Sequence, residues 1–200
     1  MNILVLAAGY GNRMDDLTKN IPKPMLKINQ KMLIDYAIEI AQKISHQRIF
    51  VNTHYQNQIL ESYIKENYID IFISHEPNIL GTGGAIKKIQ NDDLLVLNTD
   101  NLWQETFVNE IKESINFFNK NKNVENLLLV NSNSEIFDLE MKNKNIINFP
   151  SINHNTQYKG CHLIRNKSLT HYPDLFNIQD DLINSSIEGN LYGYDTCNLN

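Results

Sequence analysis

The sequence predicts an α/β protein that forms a single domain, with a mostly parallel central sheet flanked by helices, and two observations lead to this expectation. Apolar runs of strand length alternate with segments of helical periodicity, the pattern of strands joined by crossover helices. The chain has 200 residues and is 42% hydrophobic, enough to bury one well-formed core and little more. We therefore expect residues 1–200 to form a single domain.

The first half of the chain carries the more regular alternation. The predicted order is strand Asn2–Ala8, helix Leu33–Lys43, strand Arg48–Asn52, helix Gln56–Glu66, strand Ile69–Ser74, helix Gly84–Ile89 and strand Leu94–Asn98. In open α/β sheets, ligands bind outside the carboxyl ends of the strands. The loops that follow the four strands are therefore expected to converge on one crevice.

The second half is predicted to add short strands separated by Asn-rich turns. They are Asn126–Val130, Phe137–Met141, Ile146–Phe149 and Gly160–Ile164, followed by a helix at Asp180–Ile187 and a strand at Leu191–Tyr194 that ends at Asp195. The change of pattern divides the domain into a first part, residues 1–104, and a second part, residues 105–200.

Charge and cysteine usage exclude several classes of protein. The formal net charge of −5 argues against a general nucleic-acid or acidic-membrane surface, because those partners select clustered Lys and Arg. Cys161 and Cys197 form neither a CxxC pair nor a zinc-like spacing. The apolar start of the chain lacks a basic n-region and is too short to span a bilayer. We expect a cytoplasmic protein with no nucleic-acid or membrane partner.

The strongest chemical signal is the glycine-containing segment Leu6–Met14. Gly9 and Gly11 let the backbone approach a polyphosphate closely, while Arg13 and Lys23 supply positive charge. There is no third glycine as in GxGxxG and no GK[ST] as in a Walker loop, which disfavours dinucleotide and P-loop sites. Two glycines alone would also suit an ordinary strand–turn–helix entry. The added charges favour a cradle for the phosphates of a nucleoside triphosphate.

Two further segments carry candidate site residues. The small residues of Leu80–Gly84 can admit a nucleobase and ribose and present a helix N-terminus to an anion, although an ordinary glycine-rich loop has the same composition. Asp100 follows a buried strand, and Mg²⁺ is normally bound by one or two carboxylates together with substrate phosphates. The alternative for Asp100 is a side chain that caps the following turn.

Together these segments resemble the sugar-1-phosphate nucleotidylyltransferases. The resemblance is dense over the first half of the chain and thin over the rest, and it is strongest to short members such as N-acetylmuramate-1-phosphate uridylyltransferases and mannose- or heptose-1-phosphate guanylyltransferases. It implies a Rossmann-like nucleotidyltransferase fold. The residues that carry it are Leu6–Met14, Leu17-Thr18, Pro22–Leu26, Leu33–Tyr36, Val51–Tyr55, Gln58-Ile59, Glu76-Pro77, Leu80–Ile86 and Leu97–Asp100.

The resemblance also implies roles for individual residues. Arg13, Lys23 and Asp100 would be catalytic, and Asp100 and Asp195 would hold Mg²⁺. In the second part, Lys159 and Gly160 would contact the acceptor sugar phosphate. The nucleotide would be bound in the first part by Ala7, Ala8, Gly9, Gly11, Arg13, Lys23, Gly81 and Thr82.

The implied reaction transfers a nucleoside monophosphate from an NTP to a sugar 1-phosphate and releases pyrophosphate. It needs no proton shuttle because the attacking phosphate is already an anion, so His75 is read as a loop-fixing residue rather than a base. Two alternatives remain open at this point. One is a cytidylyltransferase for phosphocholine or a similar alcohol phosphate. The other is a non-catalytic paralogue, suggested by Thr99 and Cys197 at positions where the family has glycine. The base, the sugar and the oligomeric state are not determined.

Overall fold

A computed structural model describes residues 1–142, 146–167 and 169–196; the side chains of Asn12, Arg13 and Asp15 lie outside this description. The first half contains β1 (Asn2–Leu6), two 3-10 helices (Asn12–Thr18 and Lys23–Met25), β2 (Lys27–Ile28), β3 (Lys31–Met32), α1 (Leu33–Lys43), β4 (Ile49–Thr53), α2 (Asn57–Asn67), β5 (Ile71–His75), α3 (Gly81–Ile89) and β6 (Leu94–Asn98). The second half contains α4 (Phe107–Lys120), β7 (Asn126–Asn131), β8 (Glu140–Lys142), β9 (Ile146–Asn148), β10 (Gln157–Ile164), α5 (Gln179–Ile187) and β11 (Leu191–Asp195).

Nine strands form one sheet in the order β5-β4-β1-β6-β10-β7-β11-β9-β8, and β2 and β3 form a separate two-stranded sheet. Strands β5, β4, β1 and β6 are parallel neighbours, and β11 runs parallel to β7. Strand β10 is antiparallel to both β6 and β7, between which it lies. The predicted α/β class with a mostly parallel sheet is confirmed, and strands from both parts of the chain share the sheet.

The sheet has an apolar layer on each face. Ile3 and Val5 of β1 point towards a core built with α1, α2 and α4, whereas Leu4 between them points towards a core built with α3. Leu182 of α5 continues the second face under β7 and β11. A strand buried on both faces reads as a continuous apolar run, which is why β1 and β6 were visible in the sequence.

One helix escaped the sequence analysis. Helix α4 buries Val108, Ile111 and Phe118 at helical spacing, but asparagines on its surface obscure the pattern. Trp103, just before it, is 3% exposed and meets Phe107 edge to face at 5.3 Å, so these aromatic residues belong to the core.

In the described part of the chain, no helix has both the length and the apolar character that crossing a membrane requires. Cys161 of β10 is a free, buried thiol whose burial raises its pKa. Cys197 lies outside the described residues. The cytoplasmic location inferred from cysteine usage stays a prediction.

Candidate active site

A cavity of about 280 Å³ lies at the carboxyl edge of the sheet, where β1, β4 and β6 end. This first cavity brings together most of the residues that the sequence analysis assigned to the nucleotide and the metal. Those that line it are Ala7, Ala8, Gly9, Lys23, Gly81, Thr82 and Asp100. Gly11 lies just outside, at the start of the first 3-10 helix, with φ of 70°. The Arg13 side chain is outside the described part of the protein, so its role stays a prediction.

Two buried polar side chains join the strand ends around this cavity. The Oδ1 atom of Asn52 accepts a hydrogen bond from the backbone N–H of Ala7 at 2.7 Å, and its Nδ2 donates to Oε1 of Glu76 at 2.8 Å. The other carboxylate oxygen of Glu76 accepts from the backbone N–H of Leu80 at 2.9 Å. Asn52 and Glu76 are 4% and 0% exposed. The glycine loop after β1 and the loop before α3 are therefore held by one hydrogen-bonded chain.

A second connection holds the glycine loop from its outer side. The backbone carbonyl of Glu76 is 2.7 Å from Nδ1 of His54, and because a carbonyl can only accept, Nδ1 carries the proton. The Nε2 atom of His54 is within hydrogen-bond distance of the Tyr10 hydroxyl, at 2.9 Å. Tyr10 follows Gly9 directly, so this contact determines where the loop can lie.

Lys23 and Asp100 face each other across the mouth of the first cavity. Their Nζ and Oδ2 atoms are 2.8 Å apart, and the two side chains are 23% and 42% exposed. An ion pair this accessible to solvent contributes little to stability, commonly under about 1 kcal/mol. The Lys23 ammonium can therefore exchange Asp100 for an incoming phosphate at little cost, which leaves the Asp100 carboxylate free to bind a cation.

Thr99 has a structural role in the loop after β6. Its hydroxyl donates to the carbonyl oxygen of Leu6 at 2.8 Å, and the residue is 6% exposed. The side chain turns into the protein and ties β6 to β1. Thr99 thus leaves Asp100 at the cavity instead of displacing it.

The donor set allows a magnesium ion to bind through Asp100 and substrate phosphates. Among the described residues there is no cluster of three or more His, Cys, Asp or Glu side chains that could hold a metal alone. Mg²⁺ does not need such a cluster, because it usually keeps several waters and takes one or two carboxylates plus phosphate oxygens. Asp100 fits that requirement.

Asp195 is held at a different place in the sheet. Strand β11 is three strand positions from β6, which is about 14 Å at the usual strand spacing. The Asp195 carboxylate accepts hydrogen bonds from the backbone N–H and the hydroxyl of Ser132, at 3.1 and 2.5 Å. Metal binding by Asp195 stays a prediction that this geometry does not support.

The expectation that α3 presents a free N-terminus to an anion is wrong for part of its first turn. The N–H groups of Gly83 and Gly84 both point at the carbonyl oxygen of Phe176, at 3.1 and 3.3 Å. A Cβ on Gly84 would come within 2.1 Å of the carbonyl oxygen of Asp174, so glycine is required for this close packing. The Thr82 hydroxyl also accepts from the backbone N–H of Ile178 at 3.0 Å. The glycines of α3 therefore serve chain packing as well as the cavity.

A second cavity of about 410 Å³ adjoins the first and extends under the sheet towards β7 and α5. The two cavities have four lining residues in common, which form the wall between them: Leu6, Thr82, Asn98 and Asn177. Most of the second cavity is lined by apolar side chains, with Asp138, His162 and Gln179 among its polar groups. The site is thus bipartite.

Lys159 and Gly160, the predicted acceptor residues, lie beside the loop that carries Asp100 but line neither cavity. The carbonyl oxygen of Lys159 accepts a hydrogen bond from Nδ2 of Asn101. Gly160 has φ of 71°, and a Cβ there would lie 2.0 Å from the same Nδ2 atom. In this structure they hold the loop after β6 in place, and their direct contact with the acceptor sugar phosphate stays a prediction.

Comparison with known proteins supplies the observation that decides the family. The family model described as "Nucleotidyl transferase" matches residues 2–135, which include every loop of the first cavity up to β7. The chain belongs to the nucleotidyl transferase family. This membership confirms the resemblance predicted from the motifs of the first half.

Within this family, two similar curated relatives are D-glycero-alpha-D-manno-heptose 1-phosphate guanylyltransferases. The protein from Campylobacter jejuni is 33% identical over 105 residues, covering 50% of this chain and 48% of the relative. The protein from Aneurinibacillus thermoaerophilus is 30% identical over 109 residues, covering 52% and 47%. The matched stretch spans about half the length of these relatives.

A solved structure extends the likeness of fold over nearly the whole chain. The UDP-glucose pyrophosphorylase from Acinetobacter baumannii superposes with a TM-score of 0.77 over 97% of this chain and 85% of that one, at 17% identity. At that identity the likeness establishes the nucleotidyltransferase fold alone.

Sequence reasoning included Asn52, His54 and Glu76 in the family resemblance but assigned them no role in the site. Each follows or ends a parallel strand, so its position at the carboxyl edge was a usable signal. The hydrogen bonds Asn52–Ala7, Asn52–Glu76 and His54–Glu76 join residues more than twenty positions apart, and no local sequence pattern reports such pairing.

Proposed function

We propose that this protein transfers a nucleoside monophosphate from an NTP to a sugar 1-phosphate, releasing pyrophosphate and forming an NDP-sugar. The observation that carries the proposal is the Lys23–Asp100 pair, which faces a cavity built from the glycine loop. Family membership and the activities of the curated relatives support the same reaction.

The two adjoining cavities suit a displacement between two phosphorylated substrates. The first cavity would take the NTP, with Lys23 on the phosphates, and the second would take the acceptor sugar. The acceptor's phosphate oxygen attacks the α-phosphorus, the bond to the bridging oxygen breaks, and pyrophosphate leaves. Because the nucleophile is an anion, the protein chiefly has to position it and neutralise charge.

Magnesium would be held by Asp100 together with phosphate oxygens. When bound, it neutralises charge on the triphosphate and the departing pyrophosphate. The chain's own contribution is the Lys23 ammonium, which donates to a phosphate oxygen, and the Asn52–Glu76 chain, which keeps the glycine loop in place. Charge stabilisation of this kind is effective because it is arranged before the reaction.

A pyrophosphate-release assay tests the proposal. Each of the four NTPs is incubated with Mg²⁺ and a panel of sugar 1-phosphates that includes glucose, mannose, N-acetylmuramate and heptose derivatives, with phosphocholine as a further acceptor. Pyrophosphate from one NTP and sugar 1-phosphate pair supports the proposal. Release with CTP and phosphocholine alone shows an alcohol-phosphate cytidylyltransferase, and no release from any pair shows a non-catalytic protein.

A matched lysine control keeps the assay specific to the site. Lys23→Met should remove the pyrophosphate signal, whereas Lys27→Met, on an exposed lysine of β2, should leave it unchanged. Equal signals from the two variants would show that the activity does not come from the first cavity.

A further inference from the structure

The second cavity contains a buried histidine that the proposed reaction does not use. His162 lies on β10, is 3% exposed and lines the cavity near Leu128 and Tyr158. Its Nε2 atom is 2.7 Å from Oδ1 of Asn126 on the neighbouring strand β7. This is its single hydrogen bond within the described part of the protein, so Nδ1 has no partner there.

The neighbours of Asn126 determine which nitrogen of His162 carries the proton. The Nδ2 atom of Asn126 lies 3.1 Å from Oδ2 of Asp181 and 2.7 Å from the Ser185 hydroxyl. The same Oδ2 atom of Asp181 lies 2.9 Å from the Lys167 ammonium, a group that can only donate, so Oδ2 acts as an acceptor. The amide NH₂ of Asn126 must face it, which leaves Oδ1 to accept from His162.

It follows that Nε2 of His162 is protonated and Nδ1 carries a lone pair. Burial lowers the pKa of His162 to about 4, while Asp181 raises it by less and Lys167 lowers it slightly, so the ring is neutral at physiological pH. The cavity therefore contains a hydrogen-bond acceptor with a fixed orientation, and it is on a side chain that water barely reaches.

The other polar groups of the cavity also favour a ligand that donates hydrogen bonds and carries no negative charge. Asp138 is a second acceptor, and one of its oxygens is occupied by the backbone N–H of Tyr158 at 2.8 Å. Among the described residues that line this cavity there is no Lys or Arg. A ligand that carried a carboxylate here would meet two acceptors and no counter-ion, which is an effective means of rejection.

We propose that His162 is a specificity-determining residue of the acceptor site. Its Nδ1 accepts a hydrogen bond from a hydroxyl or amide N–H of a neutral sugar, and the cavity rejects sugars that carry a carboxylate. This inference rests on the proposed function. It deepens that function by naming the substrate class as neutral sugar 1-phosphates, which excludes uronic acid 1-phosphates and, because of its lactyl carboxylate, N-acetylmuramate 1-phosphate.

Steady-state kinetics test the specificity. For the hexose 1-phosphate that releases pyrophosphate, kcat/KM is compared with its 2-, 3-, 4- and 6-deoxy forms and with the matched hexuronic acid 1-phosphate. The wild type should disfavour one deoxy form by about tenfold to a hundredfold, since a site built to bond a hydroxyl penalises its absence. The uronic acid should react at least about a hundredfold more slowly.

Two variants separate the acceptor role from simple packing. His162→Leu should lose the discrimination against that one deoxy form, mainly through a higher KM for the parent sugar. His162→Gln, whose amide can donate to Asn126 and still present an oxygen to the cavity, should retain it. Discrimination that survives in the leucine variant overturns the proposal, as does a wild type that accepts the uronic acid equally well.

A binding measurement keeps the inference testable if no pyrophosphate is released. In ¹⁵N-detected imidazole spectra of the wild type, His162 should show protonated Nε2 and unprotonated Nδ1. Millimolar mannose 1-phosphate or glucose 1-phosphate should shift its Nδ1 resonance, and the hexuronic acid 1-phosphates should not. The opposite tautomer, or a resonance that no hexose 1-phosphate shifts, overturns the role of His162. Absence of turnover with a shifted resonance overturns only the proposed reaction.

Discussion

Asn52 offers the sharpest test of how the first cavity is built. Replacing it with leucine keeps similar volume but removes both hydrogen bonds, leaving the buried N–H of Ala7 without a partner and the buried Glu76 carboxylate with one contact fewer. An orphaned buried donor costs about 1–3 kcal/mol, and a hydrogen bond to a charged group contributes about 1.5–3 kcal/mol. We expect Asn52→Leu to lower the free energy of unfolding by about 3–5 kcal/mol, equivalent to a fall in Tm of about 10 °C for a domain of this size.

Urea denaturation followed by circular dichroism measures this change. Asn109→Leu is the matched control, because Asn109 is exposed on α4 and surface substitutions usually stay within about 0.5 kcal/mol. The double variant Asn52→Leu/Glu76→Gln should lose less than the sum of the single variants, by about 1 kcal/mol or more, because the two residues share a bond. A loss below about 1 kcal/mol for Asn52→Leu, or full additivity in the double variant, would refute the reasoning.

Three further predictions concern the site and its neighbours. Lys23→Ala should reduce turnover on the order of a hundredfold or more, as expected for loss of one preorganised electrostatic contact, and unchanged kcat would remove the lysine from the mechanism. Gly160→Ala should cost about 2–3 kcal/mol in urea denaturation, from its positive φ and the displaced Asn101 side chain. Gly189→Ala, with a similar φ but open space, should cost only about 1–2 kcal/mol, so equal losses would contradict the close contact. The fold lowers the pKa of His162 to about 4, below the unfolded value of about 6.5. The contribution of His162 to the free energy of unfolding is therefore fully present above about pH 6.5, and about 3 kcal/mol of it is lost as the pH falls towards 4. His162→Gln should lack that component of the pH dependence of stability, and parallel curves for the two proteins would argue against the buried neutral ring.

Local sequence patterns predicted many of the helices and strands. Helix Leu33–Lys43 and strand Leu94–Asn98 have the bounds that periodicity predicted, because each buries a regular set of apolar side chains. Helix α4 was missed because asparagines and lysines separate its buried positions, so its sequence shows no clear apolar periodicity. Strand β10 was predicted, but its antiparallel place between β6 and β7 was not.

The sequence by itself determined the chemistry of the first cavity. Glycines followed by a lysine, and a carboxylate after a buried strand, are local signals, and the rule that ligands bind at the carboxyl ends of parallel strands predicts that the glycine loop and Asp100 lie at one crevice. Only the tertiary structure decided the rest. It placed two strands between Asp100 and Asp195, set the Phe176 carbonyl on the start of α3, and oriented His162 through Asn126 and residues of α5. These outcomes depend on strand order and on contacts between residues distant along the chain, and a hydrogen bond between such residues leaves no periodic trace in the sequence.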